Sequence, residues 1–252
     1  MFVALDKNGN RINIDDANKD EQYFCPICGT EVVLKTGTIN AHHFAHKSLK
    51  DCDTFSHDMS EWHKTWQSFF PRGNREVVIE FKGEKHRADV LCYGTVIEFQ
   101  HSPISEDEFW KRNDFYTKAG YKVVWIFDLI EVQKLERIEW YDCWEYGEDN
   151  GRSYKWKYPW RFLRDFLPQE EKIIHIFISR VGFPENPKHK ESDIYIEKVT
   201  WVNEYKYNPW SYIRTSDKIC NFYELLDWLK KRWELNKRLN QRVFKLEASS
   251  KN

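Results

Sequence analysis

Between residues 54 and 128 the apolar positions change period repeatedly, and each change marks an element. Met59, Trp62, Trp66 and Phe69/Phe70 recur at helical spacing and predict an amphipathic helix that Pro71 and Gly73 stop. Three short strand-like runs follow, Glu76–Phe81, His86–Leu91 and Thr95–Gln100, separated by turns at Lys82-Gly83-Glu84 and Tyr93-Gly94. Ser105 then caps a second helix with Glu106, Asp107 and Glu108 in its first turn and Gly120 at its end. Tyr121–Phe127 is nearly continuously apolar, the pattern of a strand buried on both faces. The predicted order is helix, three strands, helix, strand, an α/β core.

Upstream, Glu31–Lys35 and Ala41–His46 predict a hairpin turning at Thr36-Gly37. Downstream the periodicity weakens. A turn-rich patch at Glu148–Gly151 precedes Tyr154–Arg161, where aromatics interleave with cations; Ile173–Ile178 predicts a buried strand, and Asn221–Phe244 a long terminal helix. The organisation expected is an N-terminal module (1–54), the α/β core (55–147) and a mixed α+β C-terminal region (148–252), with no internal repeat.

Composition narrows the classes. The 252 residues carry 39 Lys+Arg against 40 Asp+Glu, which excludes a polycation or an acidic disordered tail, and a hydrophobic fraction of 41% supports a real core. No stretch approaches the roughly 18 consecutive apolar residues of a membrane span, and Met1–Asp20 has charges where a signal peptide needs apolar residues. The expectation is a soluble cytoplasmic protein with no membrane partner.

The chain has six cysteines, of which Cys25, Cys28 and Cys52 lie close together with histidines between them, whereas Cys92, Cys143 and Cys220 are isolated. Clustering with histidine favours a metal over disulfides. The predicted hairpin returns residue 45 beside residue 28, so Cys25, Cys28, Cys52 and one histidine converge as a closed, structural zinc site. His43 and His46 are an odd number of residues apart and face opposite ways along a strand. His46 is the preferred fourth ligand and His43 the alternative; the plainer reading is an incidental cysteine pair with surface histidines.

The second hairpin carries the chemistry. If Tyr93-Gly94 are the central turn residues, Asp89 stands opposite Glu98 and Arg87 opposite Gln100. Like charges about 5 Å apart destabilise a hairpin, and Glu98 sits between Ile97 and Phe99 in a strand that looks internal. Mg2+ or Mn2+ held by the two carboxylates resolves both problems and supplies a centre for phosphodiester chemistry. The plainer alternative is a salt-bridged hairpin in which Arg87 and His86 neutralise the acids.

Taken together, Cys25-x-x-Cys28, His43-Phe-Ala-His46, Cys52, Ser60-Glu61-Trp62-His63, His86-Arg87-Ala88-Asp89-Val90, Ile97-Glu98-Phe99-Gln100-His101-Ser102, Arg112 and Trp125-Ile126-Phe127 resemble the competence protein CoiA-like family. The resemblance covers about residues 20 to 130. It implies a zinc-finger-like N-terminal part joined to a restriction-endonuclease-like PD-(D/E)XK core that processes DNA during uptake or recombination. By position, Asp89 resembles the motif aspartate and Glu98 the second acidic ligand. Gln100 falls where the motif usually has lysine; glutamine can hydrogen-bond a water or phosphate but carries no charge.

Related nucleases often add a carboxylate from the first helix, a role open to Glu61, although helical phase puts Glu61 nearly opposite the apolar stripe and His63 nearer its buried edge. Arg112 is expected to meet a phosphate or an acid on the first helix. Lys230, Lys231 and Arg232 begin a basic run that is either a solvated helix face or a phosphate-tracking surface. The function expected is a Mg2+-dependent deoxyribonuclease; the alternative is a non-catalytic nucleic-acid-binding adaptor on the same fold.

Overall fold

A computed structural model describes residues 1–37, 41–47, 52–53, 55, 60–129, 138–141, 152–157, 174–181, 194–204, 210–219, 224–227 and 229–231. Two sheets organise them. The N-terminal sheet is antiparallel, in the order β2 (Arg11–Asn13), β1 (Val3–Leu5), β3 (Tyr23–Phe24), β4 (Glu31–Lys35) and β5 (His43–His46). Its core gathers Met1, Phe2, Ala4, Ile14, Tyr23, Val32 and Phe44. The β4–β5 register corrects the predicted hairpin. Val32 faces His46 and Leu34 faces Phe44, so the pairing is not centred on Thr36-Gly37. Pairing that buries both Val32 and Phe44, the latter against Tyr23, decides the register over the turn signal.

The larger sheet grows from the predicted core. Helix α1 (Glu61–Ser68) precedes β6 (Arg75–Phe81), β7 (Glu84–Cys92) and β8 (Thr95–Gln100); α2 (Glu106–Lys118) then crosses to β9 (Lys122–Asp128). Strands β8 and β9 are parallel, as a helical crossover requires, while β6–β7 and β7–β8 are hairpins. Lys82-Gly83 and Tyr93-Gly94 all have positive φ, the signature of two-residue type I′ turns. Both helices begin at capping serines, Ser105 as expected and Ser60 in addition: Ser60 Oγ accepts from His63 N–H and Ser105 Oγ from Glu108 N–H, each at 3.2 Å. Met59, assigned to the first helix by periodicity, lies outside the described residues.

Strand β9 sorts its side chains in the two-faced way its composition predicts. Val123, Trp125 and Phe127 pack with Phe109, Phe115 and Tyr116 of α2, whereas Val124 and Ile126 pack with Trp66, Phe70, Ile97 and Phe99 on the α1 side. Beyond Asp128 the same sheet continues through β12 (Ile174–Val181), parallel to β9, then β13 (Ile194–Glu204), β14 (Trp210–Ile219), β11 (Arg152–Lys157) and β10 (Ile138–Tyr141). Nine strands thus run β10-β11-β14-β13-β12-β9-β8-β7-β6, and a division at 147/148 falls inside one hydrogen-bonded sheet. The strand expected at Ile173–Ile178 is β12, and part of the aromatic–cationic run is β11. Residues 224–227 and 229–231 are helical, with Leu225 and Leu229 buried against the α1 face; the rest of the expected terminal helix lies outside the described residues. Among these, no helix is long and apolar enough to cross a membrane.

Candidate metal centres

The N-terminal cluster is built by a knuckle and a strand. Gly29 N–H returns to Cys25 O (2.9 Å) and Cys25 N–H bonds Thr30 O (2.8 Å), with Gly29 at φ 71, so Cys25 and Cys28 open toward the end of β5. Cys25 Sγ lies 3.5 Å from Cys52 Sγ, and His46 Nε2 lies 3.5 Å from Cys28 Sγ and 3.6 Å from Cys52 Sγ. All four ligand atoms fall within 4.8 Å of one another. Bonds of about 2.3 Å to sulfur and 2.0 Å to nitrogen around a tetrahedral ion place ligands roughly 3.5–3.8 Å apart, so the cluster can hold a metal such as zinc. His43 is directed elsewhere, with Nδ1 2.8 Å from Ala41 O. Burial works upward on Cys28, but Thr30 and His46 draw its thiol down to about 6, while burial raises Cys25 and Cys52.

The carboxylates meet where two ladders fail together. The β7–β8 pairing has the predicted register, with Cys92 opposite Thr95, Leu91 opposite Val96 and Val90 opposite Ile97, and then stops. In β6–β7, Arg75 faces Val90 and Val77 faces Ala88, with no pair at Glu76 and Asp89, and Glu76 has φ 46. Ala88 packs in the α2-side core and Val90 in the α1-side core, so alternation breaks at Asp89. At this fork side chains replace the ladder: Asp89 Oδ2 accepts from Phe99 N–H (2.9 Å) and Glu98 Oε1 from Asp89 N–H (3.4 Å). The expected Arg87–Gln100 opposition is absent, because β7 and β8 have already separated. Arg87 instead turns to Glu76, Nε to Oε2 at 3.8 Å.

Both acids are buried, Asp89 at 5% and Glu98 at 0% exposure. Burial pushes the Glu98 carboxyl up to about 7, against the downward pull of Arg112. Arg112 Nη1 lies 3.4 Å from Glu98 Oε2 and Nη2 bonds Glu108, while the guanidinium lies over the Phe55 and Trp125 rings. Arg112 is itself buried, at 1% exposure, and its partners include Glu98 on β8 and Glu108 on its own helix, so it serves as an internal counter-charge.

The first helix delivers a different residue from those expected. Glu61 is exposed in the first turn of α1, as its phase dictates. His63 is buried, with Nε2 2.5 Å from Phe99 O and Nδ1 3.1 Å from Ser60 Oγ; it pins α1 to β8. One turn further on, buried Gln67 reaches the fork, Nε2 donating to Asp89 Oδ1 at 3.2 Å. A glutamine inside the Trp66–Phe70 stripe was the available signal. Gln100 is also buried and donates through Nε2 to Ser102 O (2.6 Å) and Oγ (3.3 Å). The Oε1 atoms of both Gln67 and Gln100 are buried without a hydrogen-bond partner. The two carboxylates and the two unpartnered amide oxygens are hard donors of the type that Mg2+ and Mn2+ prefer. Beside the fork, Asp128 Oδ2 lies 2.8 Å from His101 Nδ1. Lys230 and Lys231 are exposed, Lys231 pairing with Asp227 at 2.5 Å, and Arg232 lies outside the described residues.

A cysteine–histidine cluster able to hold a metal, joined to a mixed sheet with a carboxylate fork, is the arrangement of a nuclease-like protein. The family models agree: "Competence protein CoiA, N-terminal domain" matches residues 7–55 and "Competence protein CoiA, nuclease-like domain" matches residues 68–177. The chain belongs to the competence protein CoiA-like family. Competence protein CoiA of Bacillus subtilis (strain 168) is 28% identical over 133 residues, 46% of this chain and 34% of that protein. The match thus spans about a third of the length of the curated relative. No solved structure matches the chain.

Proposed function

We propose that the chain is a metal-dependent nuclease of the PD-(D/E)XK type, acting on DNA in competence or recombination, with structural zinc at Cys25, Cys28, His46 and Cys52. The observation that carries the reading is the fork itself, where Asp89 and the fully buried Glu98 interleave with unpartnered amide oxygens of Gln67 and Gln100 beside them. A divalent ion bound there would polarise a phosphodiester and acidify an attacking water. Asp89 and Glu98 hold the ion, Arg112 limits their repulsion, and Gln100 Oε1 accepts from the water or orients it. Gln67 fixes the Asp89 carboxylate, and His63 fixes the helix that carries Gln67. Exposed Lys230 and Lys231 are candidates to follow the phosphate backbone.

The test is cleavage of linear, single-stranded and branched DNA by the full chain with Mg2+ or Mn2+. Asp89→Ala and Glu98→Ala should each abolish it, and activity that survives both substitutions rejects the mechanism. One observation favours the adaptor reading: the lysine position holds an uncharged Gln100 whose amide is committed to Ser102. DNA binding that falls steeply with salt, with no cleavage of any substrate, would select the adaptor.

A further inference from the structure

Between the two centres lies a set of buried polar groups that neither centre uses as ligands. Cys52 of the N-terminal cluster is followed directly by Asp53, which is 1% exposed. Asp53 Oδ1 lies 2.8 Å from His86 Nδ1 and accepts from Phe55 N–H at 3.0 Å; Oδ2 accepts from Arg87 N–H at 3.0 Å. The His86 ring stacks on Phe55 with centroids 3.6 Å apart, which fixes the side of β7 that Asp53 grips.

The position on β7 gives the contact its meaning. Arg87 and Asp89 are two residues apart on one strand, so their N–H groups address the same edge. Strand β8 has left that edge. Its place is taken at Asp89 by the Glu98 carboxylate and at Arg87 by the Asp53 carboxylate. Asp53 therefore substitutes for a strand partner just beyond the fork, and it is attached by one peptide bond to a ligand of the other centre. Arg87 is thus held at its N–H by Asp53 and at its guanidinium by Glu76, two residues along the strand from Asp89.

We propose that Asp53 is a positioning residue that couples the two centres: metal in the Cys25–Cys28–His46–Cys52 cluster fixes Cys52 and Asp53, Asp53 fixes His86 and Arg87, and this sets Asp89 for the divalent ion. The inference rests on the reading of Asp89 and Glu98 as a divalent-cation site. Linkage makes the coupling reciprocal, so each metal tightens the other by the same factor, about 5- to 150-fold for typical coupled sites.

The test uses the full chain loaded with zinc. Mn2+ affinity is read from the free-ion paramagnetic resonance signal, alongside zinc content and thermal unfolding, for the parent protein, Asp53→Asn, Asp53→Glu and Asp89→Asn. Asp53→Asn should keep its zinc and its fold yet bind Mn2+ about tenfold or more weakly, with partial recovery in Asp53→Glu. Undiminished Mn2+ affinity in Asp53→Asn overturns the coupling. Mn2+ binding that Asp89→Asn leaves intact instead overturns the underlying site. A second measurement needs no variant to fold: zinc affinity of the parent protein, from chelator competition, should tighten by the same factor when Mg2+ is added. An unchanged zinc affinity, with Mn2+ binding at Asp89 established, also rejects the proposal.

Discussion

Replacing Glu98 by glutamine separates burial from charge at the fork. In the folded protein the Glu98 carboxyl titrates at about 7, against an ordinary value of 4.5. Below about 4.5 both folded and unfolded states hold the proton and Glu98 adds no pH dependence. Between about 4.5 and 7 only the folded state keeps it, so stability falls as pH rises, and above 7 the loss is complete. At roughly 1.4 kcal/mol per pKa unit the total is about 3 kcal/mol, an upper figure that any relaxation of the fork reduces. Glu98→Gln lacks this limb, and the Arg112 partner it loses shifts its stability by an amount that does not follow this titration. Urea unfolding of both proteins at pH 5 to 8, without divalent ions, should show the parent losing up to about 3 kcal/mol relative to the variant, other carboxylates cancelling in the difference. Mn2+ at about 100 times its dissociation constant should then stabilise the parent at pH 8 by about 2.7 kcal/mol and leave Glu98→Gln unmoved. Below pH 7 the proton competes with the ion, and the parent's affinity should weaken about tenfold per unit. Parallel pH curves for the two proteins, or equal stabilisation of both by Mn2+, would refute the reasoning.

Three further outcomes follow from particular contacts. By metal analysis Cys28→Ser should hold less zinc than the parent, and it should unfold at lower temperature, because the four-ligand set is broken. Glu76→Ala should cost about 3–5 kcal/mol in denaturant unfolding, since the Glu76 carboxylate accepts from Phe2 and Val3 N–H at 2.8 and 2.9 Å and its loss strands buried Arg87. Tyr93→Asn should stabilise by about 0.5 kcal/mol in the same assay, because φ 49 in a type I′ turn suits asparagine better than tyrosine.

What the sequence made legible is what periodicity and turn chemistry govern locally. The order of α1, β6–β8, α2 and β9 follows from short windows, and Tyr93-Gly94 alone fixes the register that sets Val90 against Ile97. The cysteine–histidine set was readable because its residue types are rare and clustered, and the opposite faces of His43 and His46 follow from strand geometry. The hairpin register there was not readable, because burial of Phe44 against Tyr23 is a long-range decision. Gln67, Asp53 and the inward turn of Arg112 were hidden for the same reason. Each depends on which face another element covers, and α1, α2 and the segment after Cys52 are placed by contacts far along the chain.

The two candidate centres differ in ligand chemistry, which would allow one chain to carry two kinds of metal. The N-terminal cluster offers three sulfurs and one imidazole nitrogen, ligands that favour zinc over Mg2+. At the fork the donors are all oxygens, from the carboxylates of Asp89 and Glu98 and the amides of Gln67 and Gln100, and such a set would favour Mg2+ or Mn2+. The remaining described cysteine, Cys92, stands near the end of the same β7 strand that carries Asp89 and could in principle blur that division. Burial pushes its thiol up to about 11 and packs it with Val90, Ile97 and Phe99, so at neutral pH it is a small apolar side chain and not a thiolate. Ligand type therefore directs zinc to the sulfur-rich cluster and keeps Mg2+ from it, whereas at the fork metal availability as well as ligand type would decide which ion binds. Asp53 links the two through position alone: its carboxylate contacts β7 yet joins neither donor set, so the coupling proposed for it does not require the centres to exchange or share an ion.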